Sequence, residues 1–396
     1  MVIKNLYSVI FLFFIALIKF KGCISKLIFI CFAYHNPALE EKMKKVIFIL
    51  VFFAVLAITA CIQKQGDRSA SAKTVSVMIY SEYIDPALLK DFEKNTGFKV
   101  KLELYEAQEE MLAKLMTADS AKYDVIIASD VMIQQMTQFG LIAKIDTSKI
   151  PNRVNVAPQF LGQSYDPTNE YSLPYLWGTT GILFRGPKVH PDSVSYSMLF
   201  DAKNTKGSFS LLNESRSMLS LALRATGSSA NSTKQAEILK AIEFILQTKK
   251  DINFAGFDNS VEGKNNVFSR KNWAAIVFNG EAQAAINEDS TLQYIIPKEG
   301  SFMWVDAMLL SAKAANVDGA YAFMNFILDA KNGAQLAKYI NYATPNKASL
   351  EVIDDDFKNN RVINPNEQEI QRMEFLKDLG EASKFYDEAW IIIKTH

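Results

Sequence analysis

The chain has 396 residues, of which 43 are basic and 43 acidic. That length exceeds one average hydrophobic core and points to two domains. Residues 1–60 hold seven Lys and two Glu, so the remainder carries 36 basic and 41 acidic residues, a net of −5 that argues against a nucleic-acid partner and is compatible with a cationic one.

Met43-Lys44-Lys45 opens a short positive region, Val46 to Ala57 is a continuous apolar run, and Ile58-Thr59-Ala60-Cys61 closes it. Charge, apolar run, small residues and cleavage point stand in the order of a secretory signal, and the run is too short to span a bilayer, which takes about 20 apolar residues. Ending the small-residue tract on Cys resembles a bacterial lipobox. Residues 43–60 are therefore expected to be a removable signal, and Cys61 the acylated first residue of an exported lipoprotein. Upstream lie two more apolar stretches, Ser8–Ile18 and Leu27–Tyr34. They make little physical sense ahead of a complete signal, so residues 1–42 are read as lying upstream of a true start at Met43. Cys23 and Cys31 then fall in the discarded part, leaving no disulfide within one mature chain. Residues 61–72 read as the lipidated Cys and a polar, flexible tether.

From Thr74 the pattern becomes regular. Thr74–Ile79 reads as a strand, Pro86–Asn95 as a helix capped by Asp85 and stopped at Gly97, and Lys99–Leu104 as a second strand. Gln108–Ala118 follows as a helix, Asp124–Ala128 as a buried strand, and Val131–Phe139 as a helix stopped by Gly140. Such alternation predicts a parallel sheet covered on both faces. A second block has strands at Gly181–Arg185, Ser208–Leu212 and Ala274–Phe278, with helices at Ser215–Ala225 and Lys234–Thr248. Ser301–Leu310 returns as a strand before helices at Ala320–Leu328 and Asn332–Ile340. The expected fold is α/β with two lobes, each a mainly parallel sheet flanked by helices, joined by hinge crossovers.

In open parallel sheets, ligands bind beyond the carboxyl ends of strands. Those ends here deliver Tyr80, Ser81, Glu82 and Tyr83, then Ser129, Glu214, Phe278, Asn279 and Glu281, with Trp304 and Asp306 on the late strand. A protonated amine gains about 0.5–2 kcal/mol from each aromatic face, and a buried carboxylate offsets its desolvation. Each residue also has a plainer role. Trp304 and Phe278 could be core aromatics, Glu214 could cap the helix at Ser215, Glu281 could sit on a solvated helix turn, and Tyr83 could pack beneath Pro86. Asp306 is harder to dismiss, because an acid within Trp-Val-Asp-Ala-Met-Leu-Leu needs a partner.

Several segments, in order, resemble the spermidine/putrescine-binding proteins that feed ABC importers, from about Thr74 to near the C-terminus. They are Tyr80-Ser81-Glu82-Tyr83-Ile84-Asp85-Pro86, Tyr123-Asp124-Val125-Ile126-Ile127-Ala128-Ser129, Tyr171-Ser172-Leu173-Pro174-Tyr175-Leu176-Trp177-Gly178, Phe278-Asn279-Gly280-Glu281, Pro297-Lys298-Glu299-Gly300, Trp304-Val305-Asp306 and Tyr342-Ala343-Thr344-Pro345-Asn346. The resemblance implies a periplasmic-binding-protein fold closing on its ligand about a hinge. It implies lobes formed by 73–177 with 303–345 and by 178–302 with 346–396. It also implies an aromatic box of Tyr80, Tyr83, Phe278 and Trp304, with Asp306 and Glu214 gripping amines and Ser129 and Tyr342 as polar contacts. This chain departs from the family by having Tyr80 and Phe278 where Trp is expected, Val131 for a Tyr, Ser217 for an acid, and Leu376 for a Gln or acid. Glu281 could compensate.

An enzyme is not expected. His190 and His396 are the only histidines beyond residue 60, and the nucleophile-elbow, phosphate-loop and Cys-x-x-Cys motifs are absent. No cofactor and no metal are implied, since His-rich or clustered acid ligands at coordination spacing are lacking. The expected partners are a polyamine, an ABC permease in the cytoplasmic membrane and, through Cys61, the lipid bilayer, with the protein itself a monomer. The alternatives are a binder of another small cationic solute and a surface lipoprotein reusing the fold.

Overall fold

The computed structural model describes residues 73–117, 122–190, 193–201, 203 and 206–396. The upstream stretch 1–42, the signal 43–60, Cys61 and the tether to residue 72 lie outside the described residues.

β1 (Thr74–Tyr80) alternates so that Val75, Val77 and Ile79 face one layer of the core and Met78 the other. Asp85 caps α1 (Pro86–Thr96) by accepting the Ala87 N–H at 2.8 Å, and Gly97 closes the helix at φ 76°. β2 (Lys99–Tyr105) lies parallel to β1. α2 (Gln108–Leu115) stops at Leu115 rather than reaching Ala118, because Thr117 donates its N–H and hydroxyl to the Lys114 carbonyl and tightens the last turn. β3 (Val125–Ser129), α3 (Asp130–Gln138) and β4 (Ile142–Ala143) complete the first block.

β5 (Ser172–Arg185) begins well before the expected Gly181. Its early residues include Pro174 and Gly178, which read as loop, yet every residue from Ser172 to Phe184 is buried. Beyond it come α4 (Ser197–Phe200), β6 (Phe209–Leu212), α5 (Ser215–Ala225), α6 (Gln235–Thr248), β7 (Phe254–Asp258), α7 (Ser260–Phe268), β8 (Ala274–Phe278), α8 (Asn279–Glu288) and β9 (Leu292–Ile295). The chain then returns through β10 (Phe302–Ser311), α9 (Val317–Ile327) and α10 (Ala330–Ile340). It finishes with α11 (Lys347–Val352), α12 (Asp355–Lys358), α13 (Glu367–Gln371), β11 (Glu374–Phe375) and α14 (Ser383–Thr395).

The sheet runs β2-β1-β3-β10-β5-β8-β6-β7, with β4 and β11 on β10 and β9 on β5. Both ends are parallel as expected: β1 with β2 and β3, and β6 with β7 and β8. The middle is not. β10 runs antiparallel to β3 and β5, and β5 antiparallel to β8 and β9. The segment 144–171 leading to β5 holds only 3-10 turns, without the crossover helix that parallel pairing needs. β5 is one continuous strand that pairs β10 through Thr179 and β8 from Thr180 onward, linking both halves of the sheet. No helix among the described residues is long and apolar enough to cross a membrane.

Asp166 fixes where β5 starts. Its buried carboxylate accepts the N–H groups of Glu170, Tyr171 and Ser172 and the Ser172 hydroxyl, at 2.8–3.1 Å. Asp166→Ala leaves those donors unpaired and should cost about 2–4 kcal/mol in urea unfolding; an unchanged unfolding midpoint would show that the strand is held by other means.

Candidate functional site

The two crossing strands build the site. Trp304 and Asp306 lie two residues apart on β10 and so share a face of the sheet. In the β10–β5 pairing Asp306 faces Leu176 and Ala307 faces Pro174, leaving Tyr175 as the extra residue of a β-bulge. Pro174 has no N–H to contribute to the ladder, which suits it to that irregular position. The bulge turns Tyr175 so that its hydroxyl donates to the Tyr83 carbonyl at 2.7 Å, with the two rings 5.6 Å apart.

Gly178 stands opposite Trp304 in register. A Cβ there would clash with the edge of the Trp304 indole and with Asn279 Oδ1, so only glycine leaves room for Trp304. Gly280 makes the same allowance for the ring of Tyr342. Tyr342 follows Asn341, whose left-handed φ of 62° ends α10. The Trp177 N–H then binds the Ala343 carbonyl at 3.0 Å and fixes this segment against β5.

The result is a chain of aromatic contacts. Phe278 meets Trp304 at 5.6 Å, Trp304 meets Tyr342 at 5.0 Å, Tyr342 meets Tyr83 at 5.9 Å, and Tyr83 meets Tyr80 at 5.9 Å, all edge-to-face. Trp304 is 8% exposed and its indole N–H has no partner. Tyr80 and Tyr83 come from the end of β1, Phe278 from the end of β8 and Tyr342 from beyond α10, so the box draws on both halves of the sheet.

Three acids accompany the aromatics. Asp306, 5% exposed, accepts the Tyr83 hydroxyl at 2.7 Å, and burial raises its carboxyl to about 7. Glu281, partly buried in the first turn of α8, accepts the Tyr342 hydroxyl at 2.5 Å; burial raises it as well. Glu214 is the N-cap residue of α5, but its side chain makes no capping bond. It accepts instead the hydroxyl of Ser217, the residue that replaces the expected acid, at 3.0 Å. The surrounding protein raises Glu214 to about 7, although the residue is exposed. Contact with water offsets part of that shift, so Asp306 carries the stronger perturbation. The three acids repel one another, and none is ion-paired to Lys or Arg among the described residues. Neither do any three His, Cys, Asp or Glu side chains among the described residues gather closely enough to hold a metal ion. Spaced acids between aromatic faces suit an extended, multiply charged organic cation.

The remaining expected residues stand apart from this contact chain. Ser129, facing Asp306 across β3 and β10, turns its hydroxyl to Asp130 at 3.0 Å. Ser81 donates to Glu106 at the surface, and Glu82 is exposed at a left-handed φ of 56° where the chain turns toward Tyr83. The side chains of Val131 and Leu376 offer no polar group to a ligand. Three neighbours were not anticipated as site residues: Tyr175, Gln108 and Asp130. Gln108 donates to the Tyr80 hydroxyl. Asn279, fully buried, accepts the Thr179 N–H at 2.9 Å and donates to the Val362 carbonyl at 3.0 Å. The sequence holds no local signal for Tyr175, whose part comes from the bulge.

Residues 87–364 match the family of bacterial extracellular solute-binding proteins. The chain belongs to that family. It is 34% identical over 320 residues to the spermidine/putrescine-binding periplasmic protein of Escherichia coli, covering 80% of this chain and 90% of the relative. It is 28% identical to a putrescine/cadaverine-binding protein of Pseudomonas aeruginosa, covering 86% and 98%. The solved spermidine/putrescine ABC transporter substrate-binding protein of Streptococcus pneumoniae superposes with a TM-score of 0.71 at 29% identity, covering 81% of this chain and 98% of that one. The family is one of solute-binding proteins that work outside the cytoplasm, and its two-lobed α/β architecture is the fold expected from the sequence.

The raised acids have a thermodynamic signature. An acid whose folded pKa is raised holds a proton that the unfolded chain has already lost, so its contribution to stability is complete below the unfolded pKa, about 4, and is lost as pH rises through the folded value. For Asp306 that window runs from about 4 up to about 7. Ligand-free protein should therefore melt at a higher temperature at pH 6 than at pH 8, and Asp306→Asn should flatten that difference. Equal pH dependence in both proteins, measured by calorimetry, would mean that Asp306 is ionised and compensated in the empty site.

Proposed function

We propose that this protein captures a polyamine, putrescine or spermidine, and delivers it to an ABC permease in the cytoplasmic membrane. One observation carries the reading. Asp306 is a buried carboxylate without a cationic partner, lying beside Trp304 in an aromatic box that Gly178 and Gly280 make room for. A cost of several kcal/mol attends an unpaired buried charge, and a ligand ammonium is what would relieve it. The likeness to relatives named for spermidine, putrescine and cadaverine points the same way.

In this reading the ammonium at one end of the ligand meets Asp306, with the rings of Tyr83, Trp304 and Tyr342 around it. The methylene chain runs between aromatic faces, and a second ammonium meets Glu214 or Glu281. The protein binds its solute without transforming it. Lobe boundaries near residues 177 and 303 are supported by β5, which leaves its pairing with β10 and takes up β8 at Thr179–Thr180. Closure about that point would present both lobes to the permease. We further infer that acylated Cys61 anchors the protein in the membrane and that residues 61–72 act as a leash, keeping a monomeric binding domain beside the permease. The signal-like order of residues 43–61 supports this.

Asp306→Asn keeps the shape of the site and removes the counter-charge. It should weaken binding of putrescine and spermidine by about 2–5 kcal/mol in calorimetric titration. Unchanged affinity would remove Asp306 from the site. A thermal-shift screen with putrescine, cadaverine, spermidine, spermine and amino acids tests the ligand class itself: no shift with any amine would contradict the polyamine reading.

A further inference from the structure

A second acid is bonded to the backbone of β10 one residue before Asp306. Asp130 opens α3 and is fully buried. Its Oδ1 accepts the Val131 N–H at 2.8 Å and the Ser129 hydroxyl at 3.0 Å, and its Oδ2 accepts the Val305 N–H at 3.1 Å. Val305 is the residue between Trp304 and Asp306, immediately before the bulge. Asp130 thus grips the β10 backbone midway between the two side chains that β10 presents to the box. It is also a like charge close enough to raise Asp306.

We infer that Asp130 is a positioning residue for the ammonium site: it pins β10 between Trp304 and Asp306, and its like charge adds to the burial that couples capture of a cation at Asp306 to release of a proton. This rests on the polyamine reading. The step balances simply. Protonated Asp306 loses its proton to the buffer as the ligand ammonium, keeping all of its own protons, takes its place beside the carboxylate.

The groups that bear on this proton come from several elements. Around Asp306 they are Tyr80 and Tyr83 from the end of β1, Tyr105 from β2, Tyr175 from β5, Glu214 before α5, Glu281 from α8 and Tyr342 beyond α10. Around Asp130 they are Arg216 from α5, whose cation favours ionisation, and Tyr165. The tyrosines all lie well above their ordinary range because of burial, so they stay neutral and the carboxylates carry the titration. Burial also brings Asp130 to about 7, so Asp130 and Asp306 share protons in one pH range.

The test is titration of the full chain with spermidine between pH 6 and pH 8, in buffers of differing ionisation enthalpy, for the wild type and for Asp130→Asn. Wild-type protein should release protons on binding near pH 7, from Asp306 and from the acid that meets the second ammonium, and bind at least about tenfold more tightly at pH 8 than at pH 6. Asp130→Asn removes the like charge while the burial of Asp306 remains, so that ratio should be smaller than in the wild type, with its midpoint at lower pH. A purely structural role for Asp130 would weaken binding equally at every pH, and that result overturns the proton coupling. If Asp130→Asn does not fold, the wild type decides alone: binding without proton release across this range contradicts the inference. Failure of spermidine to bind the wild type at any pH is a different outcome and strikes the polyamine reading itself.

Discussion

A carboxylate withdrawn from water without a counter-charge is among the least stable things a protein can hold, and Asp306 is such a group. The structure tolerates it by two means: the Tyr83 hydroxyl donates to it, and its pKa rises so that a proton can neutralise it. Neither is as effective as an ammonium would be. An ammonium that relieves this cost gains the difference, which is how a modest set of contacts can favour a cation over a neutral molecule of the same length.

Much of the architecture serves to keep that group in place. β10 must run antiparallel between β3 and β5 for Asp306 to stand between the two halves of the sheet. Pro174 and the bulge at Tyr175 bend β5 at the matching point, Gly178 admits the indole of Trp304, and Asn279 fastens Thr179 to the segment at Val362. These are backbone arrangements, formed by strands that are distant in sequence. The side chains that would touch the ligand ride on them with little freedom of their own, which limits the ordering cost of binding.

The pieces of the fold with strong local patterns were plain in the sequence: β1 and β3 from their β-branched runs, α1 from Asp85, Pro86 and Gly97, and α5 from its apolar spacing. Others were hidden because local chemistry and tertiary context disagree. Ser172–Thr180 contains a proline and a glycine and reads as a loop, yet it is the start of the longest strand, held by Asp166 and by pairing with β10. Asn279-Gly280 reads as a turn, yet it begins α8. The antiparallel middle of the sheet has no local signal, because it depends on which distant strands meet. Of the site, the aromatic and acidic residues at the strand ends could be named. Tyr175, Gln108 and Asp130 could not, because their part follows from the bulge and the register. The Glu214 carboxylate was open to a capping role that the structure does not show, since it accepts from Ser217 instead.

A crystal structure of the protein with spermidine bound tests the account most directly. It should show one ammonium nitrogen within hydrogen-bond distance of Asp306, the methylene chain between Trp304 and the tyrosine rings, and a further nitrogen at Glu214 or Glu281. A bound spermidine lying elsewhere, with Asp306 still satisfied by Tyr83 alone, would contradict it.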